Sequence, residues 1–368
     1  MRAVVLDAGE VAGATRVKNQ WRYPDLHTSV DSTKGKLVKK NLTTVVAAVV
    51  AVLSLAACGS DSDSSNSSST NSGSDSYKIA VAQTVTHSSL DASIAGFKQA
   101  IADAGLDVSY DDENANNDQT IIASIAGTIA AGDYDLVLGV ATPMAQGLAQ
   151  TVANIPVLFT AVTDPVGAGL VDSLDAPGAN ITGTTDANPV EEQINLVLDL
   201  VPDAKTIGVV YNPGEANSVV QVEWVKEAAE KLGLEVKEAN AVTTAEVQQA
   251  ANSLDVDAIY VPTDNTVVSA LDSVIQVGES KKIPVIAAEG DSVANGAVAT
   301  YGLSYEALGY QTGEMAVKIL TEGADPATMA VETQKEPVLY LNLGAAERMG
   351  VTIPQDLIDQ ADPADITQ

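Results

Sequence analysis

The side chains best placed to do chemistry in this sequence stand where short apolar runs end, and they do so twice. Ile79-Ala80-Val81-Ala82 ends at Gln83, and Ile207-Gly208-Val209-Val210 ends at Tyr211. Leu136–Val140 runs into Ala141-Thr142, and Ala258–Val261 runs toward Thr263-Asp264. Pro156–Thr160 hands over to Ala161, and Pro284–Ala287 to Ala288-Glu289. If these runs are parallel strands, their carboxyl ends border the crevice where ligands of open α/β sheets bind. Asp264, Glu289 and Asp164 can then hold an ammonium. Thr142, Ser218 and the free N–H groups of the helix starts nearby can hold a carboxylate without adding charge. Tyr211, with Phe159 or Tyr260, offers apolar faces.

Each candidate also has a purely structural role open to it. Asp264 is a natural N-cap for the helix after it, as are Asn217 and Ser218, and Asp164 before Pro165 is a natural turn former. Tyr260 and Phe159 lie within strands and suit a core. His87, the one histidine beyond the N-terminal segment, falls in a loop at the crevice edge. It is either a surface residue or a donor to the ligand; alone it makes no metal site. Asp111-Asp112-Glu113 lacks the spacing of a calcium loop and reads as a solvated turn. The chain holds no Gly-x-Ser-x-Gly elbow, no phosphate-binding Gly-x-x-x-x-Gly-Lys loop and no His-Glu-x-x-His. No Gly-x-Gly-x-x-Gly follows either first strand, so no dinucleotide cofactor is expected. Only catalysis by a carboxylate pair stays open.

The elements that must position these groups are themselves repeated. Ile79 to Gly105 and Ile207 to Gly233 have the same length, each a strand, a polar turn and a helix stopped by glycine. The offset between them, 128 positions, also separates Ile155-Pro156-Val157-Leu158 from Ile283-Pro284-Val285-Ile286. Asp135-Leu136-Val137-Leu138 answers Asp257-Ala258-Ile259-Tyr260. Strands alternating with helices of this length make βαβ units and parallel sheets, so the fold class is α/β with two Rossmann-like lobes. Helices are expected over 90–104, 118–131 (Asp118 as N-cap) and 190–201. Another starts with Thr142 as cap and Pro143 in first position, and a helix over 305–320 returns to the first lobe. Further strands are expected at 178–185, 296–300 and 338–343, with fraying from Asp362. The expected boundaries are 77–186 with 300–327 for the first lobe and 187–299 with 328–362 for the second.

At 368 residues the chain suits two domains, and its 46% apolar content is that of a globular protein. The net charge is −30, and residues 1–57 hold 8 of the 19 Lys and Arg but only 4 of the 49 Asp and Glu. A body this acidic repels phosphate backbones, so nucleic acid is excluded as a partner. The single cysteine, Cys58, rules out an intramolecular disulfide. Lys36, Lys39 and Lys40 precede the apolar stretch Leu42–Ala57, which is short for a membrane span and ends in Leu55-Ala56-Ala57-Cys58. That order is a secretory signal, and its end resembles the lipobox of bacterial lipoproteins, in which the cysteine is lipidated. Residues 1–37 fit such a signal poorly, and translation is expected to begin at Val38. Residues 58–76, nearly all Ser, Asp, Asn, Gly and Thr, read as a disordered tether.

Over Lys78–Asp359 the sequence resembles the bacterial ABC-transporter substrate-binding proteins of the tryptophan/tyrosine type. The motifs that carry the resemblance are Gln83…His87-Ser88-Ser89-Leu90-Asp91, Asn114-Ala115-Asn116-Asn117-Asp118, Ala141-Thr142-Pro143-Met144-Ala145 and Thr160-Ala161-Val162-Thr163-Asp164-Pro165-Val166. They continue with Asn180-Ile181-Thr182-Gly183, Tyr211-Asn212-Pro213-Gly214-Glu215-Ala216-Asn217-Ser218 and Pro262-Thr263-Asp264-Asn265. Ser88 stands where proline is usual and Thr185 where serine is usual. The resemblance implies a type I periplasmic-binding-protein fold with a three-segment hinge near 184–188, 298–301 and 322–329. It implies no enzymatic activity and no cofactor or metal. It also implies a monomer that binds an amino acid, aromatic by resemblance, and serves an ABC permease and its ATPase. The site residues it implies are Gln83, His87, Leu90, Thr142, Pro143, Ala161, Thr163, Asp164, Thr185 and Asp186 from the first lobe. From the second it implies Tyr211, Asn212, Asn217, Ser218, Thr263, Asp264, Asn265 and Glu289. A ligand-responsive regulator on the same fold, or a carrier of another solute, is the alternative.

Overall fold

The computed structural model describes residues 76–334 and 336–368. Cys58, the signal and most of the tether lie outside them. The first lobe begins β1 (Tyr77–Gln83), α1 (Ser88–Asp103), β2 (Val108–Asn114), α2 (Gln119–Ala130), β3 (Leu136–Val140), α3 (Thr142–Thr151), β4 (Val157–Val162) and β5 (Ile181–Thr185). The second repeats the alternation with α4 (Val190–Leu200), β6 (Thr206–Tyr211), α5 (Ala216–Leu232), β7 (Glu235–Asn240), α6 (Val247–Ser253) and β8 (Ala258–Val261). It continues through α7 (Asn265–Val268), α8 (Leu271–Lys281), β9 (Val285–Ala287), α9 (Gly290–Ala294) and β10 (Ala299–Gly302). Then come α10 (Tyr305–Glu322), β11 (Glu332–Thr333), β12 (Val338–Asn342), α11 (Leu343–Met349), α12 (Gln355–Gln360) and β13 (Ile366–Thr367).

The two sheets have the orders β11-β5-β4-β3-β1-β2 and β13-β12-β10-β9-β8-β6-β7. The repeat read from the sequence is thus a repeat of topology. β1 lies between β2 and β3, and β6 lies between β7 and β8, all parallel. Strand order reverses at β1/β3 and at β6/β8, so each lobe has its switch-point crevice there. The central strands β3 and β4 are buried throughout, which is why they read as unbroken apolar runs rather than alternating ones. Apolar clusters line both faces of the first sheet, and a separate one fills the second lobe.

Several boundaries differ from those the sequence led us to expect. Thr300 and Tyr301 belong to β10, which pairs with β9 and β12 in the second sheet, so the chain crosses after Gly302. It crosses back only after β11, which pairs with β5 in the first sheet. The crossovers therefore lie at 186–189, 303–304 and 334–337, and only the first matches the expected position. A two-residue edge strand such as β11 carries no periodic signal. Helix α10 does return to the first lobe, where α1 meets it through glycines: a Cβ on Gly309 would stand 1.8 Å from Ser93 O, and one on Gly96 would stand 2.0 Å from Glu306 O. The segment from Asp362 is not frayed, since β13 pairs with β12. Asp111, Asp112 and Glu113 lie in β2 rather than in a turn. They tolerate the edge because Lys78 pairs with Asp111 at 2.9 Å and Lys98 with Asp112 at 2.7 Å. The N-cap of α3 is Ala141, not Thr142, and Pro143 is its second residue.

Candidate functional site

The carboxyl ends of both sheets face a narrow cavity between the lobes. Its walls from the first lobe are His87, Ser89, Leu90, Ala141 and Ala161; from the second they are Asn217, Thr263, Asn265, Val268 and Glu289. Asp186, in the first crossover, and Tyr305, the first residue of α10 directly after the second, close its hinge side. Loop ends make this wall because the strands stop there and the helix N-termini begin. Ala141 and Ala161, at the ends of β3 and β4, have φ of 72° and 56°. A side chain other than glycine in such a conformation costs about 1–3 kcal/mol, so backbone strain is concentrated at two positions of the wall.

The lobes touch across this cavity. Thr163 Oγ1 and Thr263 Oγ1 are 3.1 Å apart, Asn117 Nδ2 donates to Thr266 Oγ1 at 2.8 Å, and Asn295 Nδ2 donates to Ser88 Oγ at 3.0 Å. The cleft is closed.

Two carboxylates line the wall, with no lysine or arginine among the lining residues. Asp186 accepts from Thr163 Oγ1 at 2.9 Å and from the Tyr305 phenol. Burial raises its pKa, and these two donors pull it back. Glu289 caps α9 by accepting from Ser292 N and, closely, from Ser292 Oγ. Burial, helped by Asp291, pushes its carboxyl up to about 7. His87 is held neutral: burial pulls its imidazole down to about 4.

Six buried side-chain polar atoms among the described residues lack a partner: His87 Nδ1, Ser89 Oγ, Thr142 Oγ1, Asn188 Oδ1, Asn217 Oδ1 and Gln221 Nε2. His87, Ser89 and Asn217 are cavity walls, and Thr142 follows the wall residue Ala141 directly. Buried polar atoms are nearly always paired, so their concentration here marks groups that await a partner. Ser89 sits in the first turn of α1, whose N–H groups can meet an anion, and its hydroxyl lies beside the Glu289 and Asp291 carboxylates. Asn217 Oδ1, Glu289 and Asp186 supply acceptors for a cation.

Of the residues singled out from the sequence, the cavity gathers His87, Leu90, Ala161, Asp186, Asn217, Thr263, Asn265 and Glu289. Others stand one step behind it. Gln83 donates to Asp91 Oδ1 at 2.8 Å and accepts from Asn114. Thr163 donates to Asp186 Oδ1 and Thr185 donates to the Thr163 carbonyl, while Thr142 and Pro143 open α3. Five of the expected residues lie outside the wall. Asp264 does not line the cavity: its carboxylate accepts from Val267 N, Asn212 N and Ser218 Oγ at 2.8, 2.6 and 2.7 Å. Burial and the Glu215 carboxylate beside it raise its pKa. Asn212 and Ser218 are accordingly its donors, not walls. Asp164 closes a turn by accepting from Gly167 N. Tyr211 turns away to donate to Glu238 Oε2 at 2.7 Å on the neighbouring edge strand. Tyr260 and Phe159 are core, Tyr260 donating to Gln193.

Ser89, Ala141, Val268 and Tyr305 escaped sequence reasoning as wall residues. Ser89 and Ala141 lie inside quoted motifs beside residues that were chosen. Tyr305 follows the second crossover, 119 positions after Asp186, and no local pattern announces that.

Two lobes of one topology, closed over a polar cavity at both switch points, define a solute-binding protein with the type I periplasmic-binding-protein fold. Residues 78–364 match the family model described as ABC transporter substrate binding protein, and the chain belongs to that family. It is 42% identical over 313 residues to the tyrosine-binding protein of Clostridioides difficile (strain R20291), covering 83% of this chain and 90% of that one. Among solved structures it is similar to the ABC domain from Streptococcus pneumoniae in complex with L-Trp, at 37% identity and a TM-score of 0.76 over 80% of this chain and 100% of that one. It is also similar to the ligand-free, open structure of a substrate-binding protein with adhesive properties from Clostridium difficile. There the identity is 41% and the TM-score 0.60, over 79% of this chain and 98% of that one. The less identical structure superposes better, in keeping with the closed lobes described above.

Proposed function

We propose that this chain is the extracytoplasmic, lipid-anchored receptor of an ABC importer, that it binds an aromatic L-amino acid in the interlobe cavity, and that it passes it to a membrane permease without catalysing a reaction. The observation that carries the ligand class is the set of buried polar side chains in the cavity wall that keep hydrogen-bonding capacity free, the start of α1 offering donors and Asn217 an acceptor. A zwitterion presents one anion and one cation. Both lose water when the cleft shuts, and each must meet a partner or binding is penalised by several kcal/mol. The tyrosine and tryptophan named for the relatives favour an aromatic side chain, with Leu90, Val268, Ala141 and Ala161 as the apolar part of the wall. The lipid anchor rests on Cys58 and the signal before it. In the described residues no helix is long and apolar enough to cross a membrane. Titration calorimetry of the body from residue 76 onward against tyrosine, tryptophan, leucine and a neutral sugar tests the reading. Heat with the two aromatic amino acids alone is expected; binding of the sugar but of no amino acid would overturn it.

A further inference from the structure

We infer that Asn117 is a latch: a positioning residue that holds the lobes closed without being part of the ligand cavity. The inference rests on the hinge-closing receptor reading above. In the loop after β2, Asn116 and Asn117 are both left-handed, with φ of 50° and 60°. Only glycine visits that region freely, and asparagine is the side chain that best tolerates it. The loop is fixed by Asn116 N donating to Asn114 Oδ1 at 2.7 Å and by Asn117 N donating to Thr84 O at 2.8 Å. It aims the Asn117 amide across the cleft, where Nδ2 donates to Thr266 Oγ1 at 2.8 Å.

Thr266 is fully buried. Its hydroxyl gives its proton to Glu215 Oε1 at 2.8 Å and accepts from Asn212 Nδ2 at 2.9 Å. A hydroxyl has two acceptor lone pairs, and Asn117 fills the second. This second-lobe node is therefore completed by a donor from the first lobe. Asn117 and Thr266 are not cavity walls, so the bond needs no ligand.

Its place in the sheet makes it sensitive to closure. The crossovers leave from the β5 and β11 side of the first sheet, and β2 is the opposite edge. Four strand spacings, about 19 Å, separate β2 from β5. Opening by about 10° about β5 would move this lip by about 3 Å, enough to break a hydrogen bond. Thr163, one spacing from β5, would move less than about 1 Å. The Asn117 bond is thus made after the Thr163–Thr263 contact on closing and lost before it on opening.

The test uses Asn117→Gly, which keeps the left-handed turn and removes the amide, and Asn117→Asp, which keeps turn and shape but offers an acceptor to an oxygen whose proton is already given to Glu215. The interlobe distance is read by double electron–electron resonance between one spin label on each lobe, with and without tryptophan, alongside calorimetry and dissociation rates. The expected result for Asn117→Gly is a distance distribution shifted toward open in the absence of ligand. Binding should weaken about three- to tenfold, the worth of one neutral hydrogen bond, carried by faster dissociation at an unchanged melting temperature. Asn117→Asp should bind more weakly still at neutral pH, where its carboxylate faces an oxygen that has no proton to give it. Wild-type distances and affinity in both variants would overturn the latch. Should wild type bind neither tyrosine nor tryptophan, the ligand reading fails, and the ligand-free distances still decide the latch.

Discussion

Removing the Asp264 carboxylate separates a helix cap from a ligand contact. In Asp264→Ala the backbone N–H groups of Asn212 and Val267 and the Ser218 hydroxyl lose their acceptor in a site closed to water. An orphaned buried donor costs about 1–3 kcal/mol. Relief of repulsion from the Glu215 carboxylate, which helps push the Asp264 pKa up, offsets part of that, leaving about 3 kcal/mol. Unfolding entropy near 2.1 cal/mol/K per residue over about 290 residues converts this to a fall of about 5 °C in melting temperature. Asp264→Asn keeps an acceptor oxygen and should fall less. Differential scanning calorimetry reads the melting, and titration with tryptophan reads the affinity, which should weaken only modestly because α5 and α7 hold Asn217 and Asn265 less firmly. An unchanged melting temperature with a hundredfold loss of affinity would refute this reasoning and return Asp264 to the role of ammonium acceptor.

Ser89→Ala deletes a buried wall hydroxyl that stands beside the Glu289 and Asp291 carboxylates; tryptophan binding should weaken by about tenfold, and a loss of stability with intact binding would show the hydroxyl to be structural. Glu289 favours its neutral form in the folded state, so its contribution to stability is full below its ordinary pKa near 4.5 and is lost as pH rises through about 7, worth about 3 kcal/mol. The melting-temperature gain of Glu289→Gln over wild type should therefore grow from pH 5 to pH 8, and a constant gain would count against it. His87 has the opposite sign: its stabilisation is present above pH 6.5 and lost as pH falls toward 4. Cys58→Ser should leave binding intact and move the protein from the membrane fraction to the medium, which fractionation followed by immunoblotting reads directly.

The sequence by itself determined the two-lobed α/β plan, because a parallel sheet buried on both faces writes its strands as continuous apolar runs and its repeat as a fixed offset. It also determined which strand ends face the cleft, since topology alone places ligands there. Cavity residues such as His87, Leu90, Asn217 and Glu289 were legible for that reason. What only the tertiary structure decided was the direction each polar side chain takes once its neighbours are known. Asp264 and Glu289 look alike in the sequence, each an acid after a second-lobe strand. Asp264 is surrounded by three donors from the end of β6, α5 and α7 and is turned into the second lobe, while Glu289 is held by Ser292 with Ser89 beside it and keeps its place in the wall. Tyr211 stands at the right strand end, yet Glu238 on the adjacent edge strand draws its hydroxyl away. Tyr305 reaches Asp186, 119 residues away, because two crossovers meet at the hinge. A contact between distant segments is set by how whole lobes pack, and no local spacing encodes it.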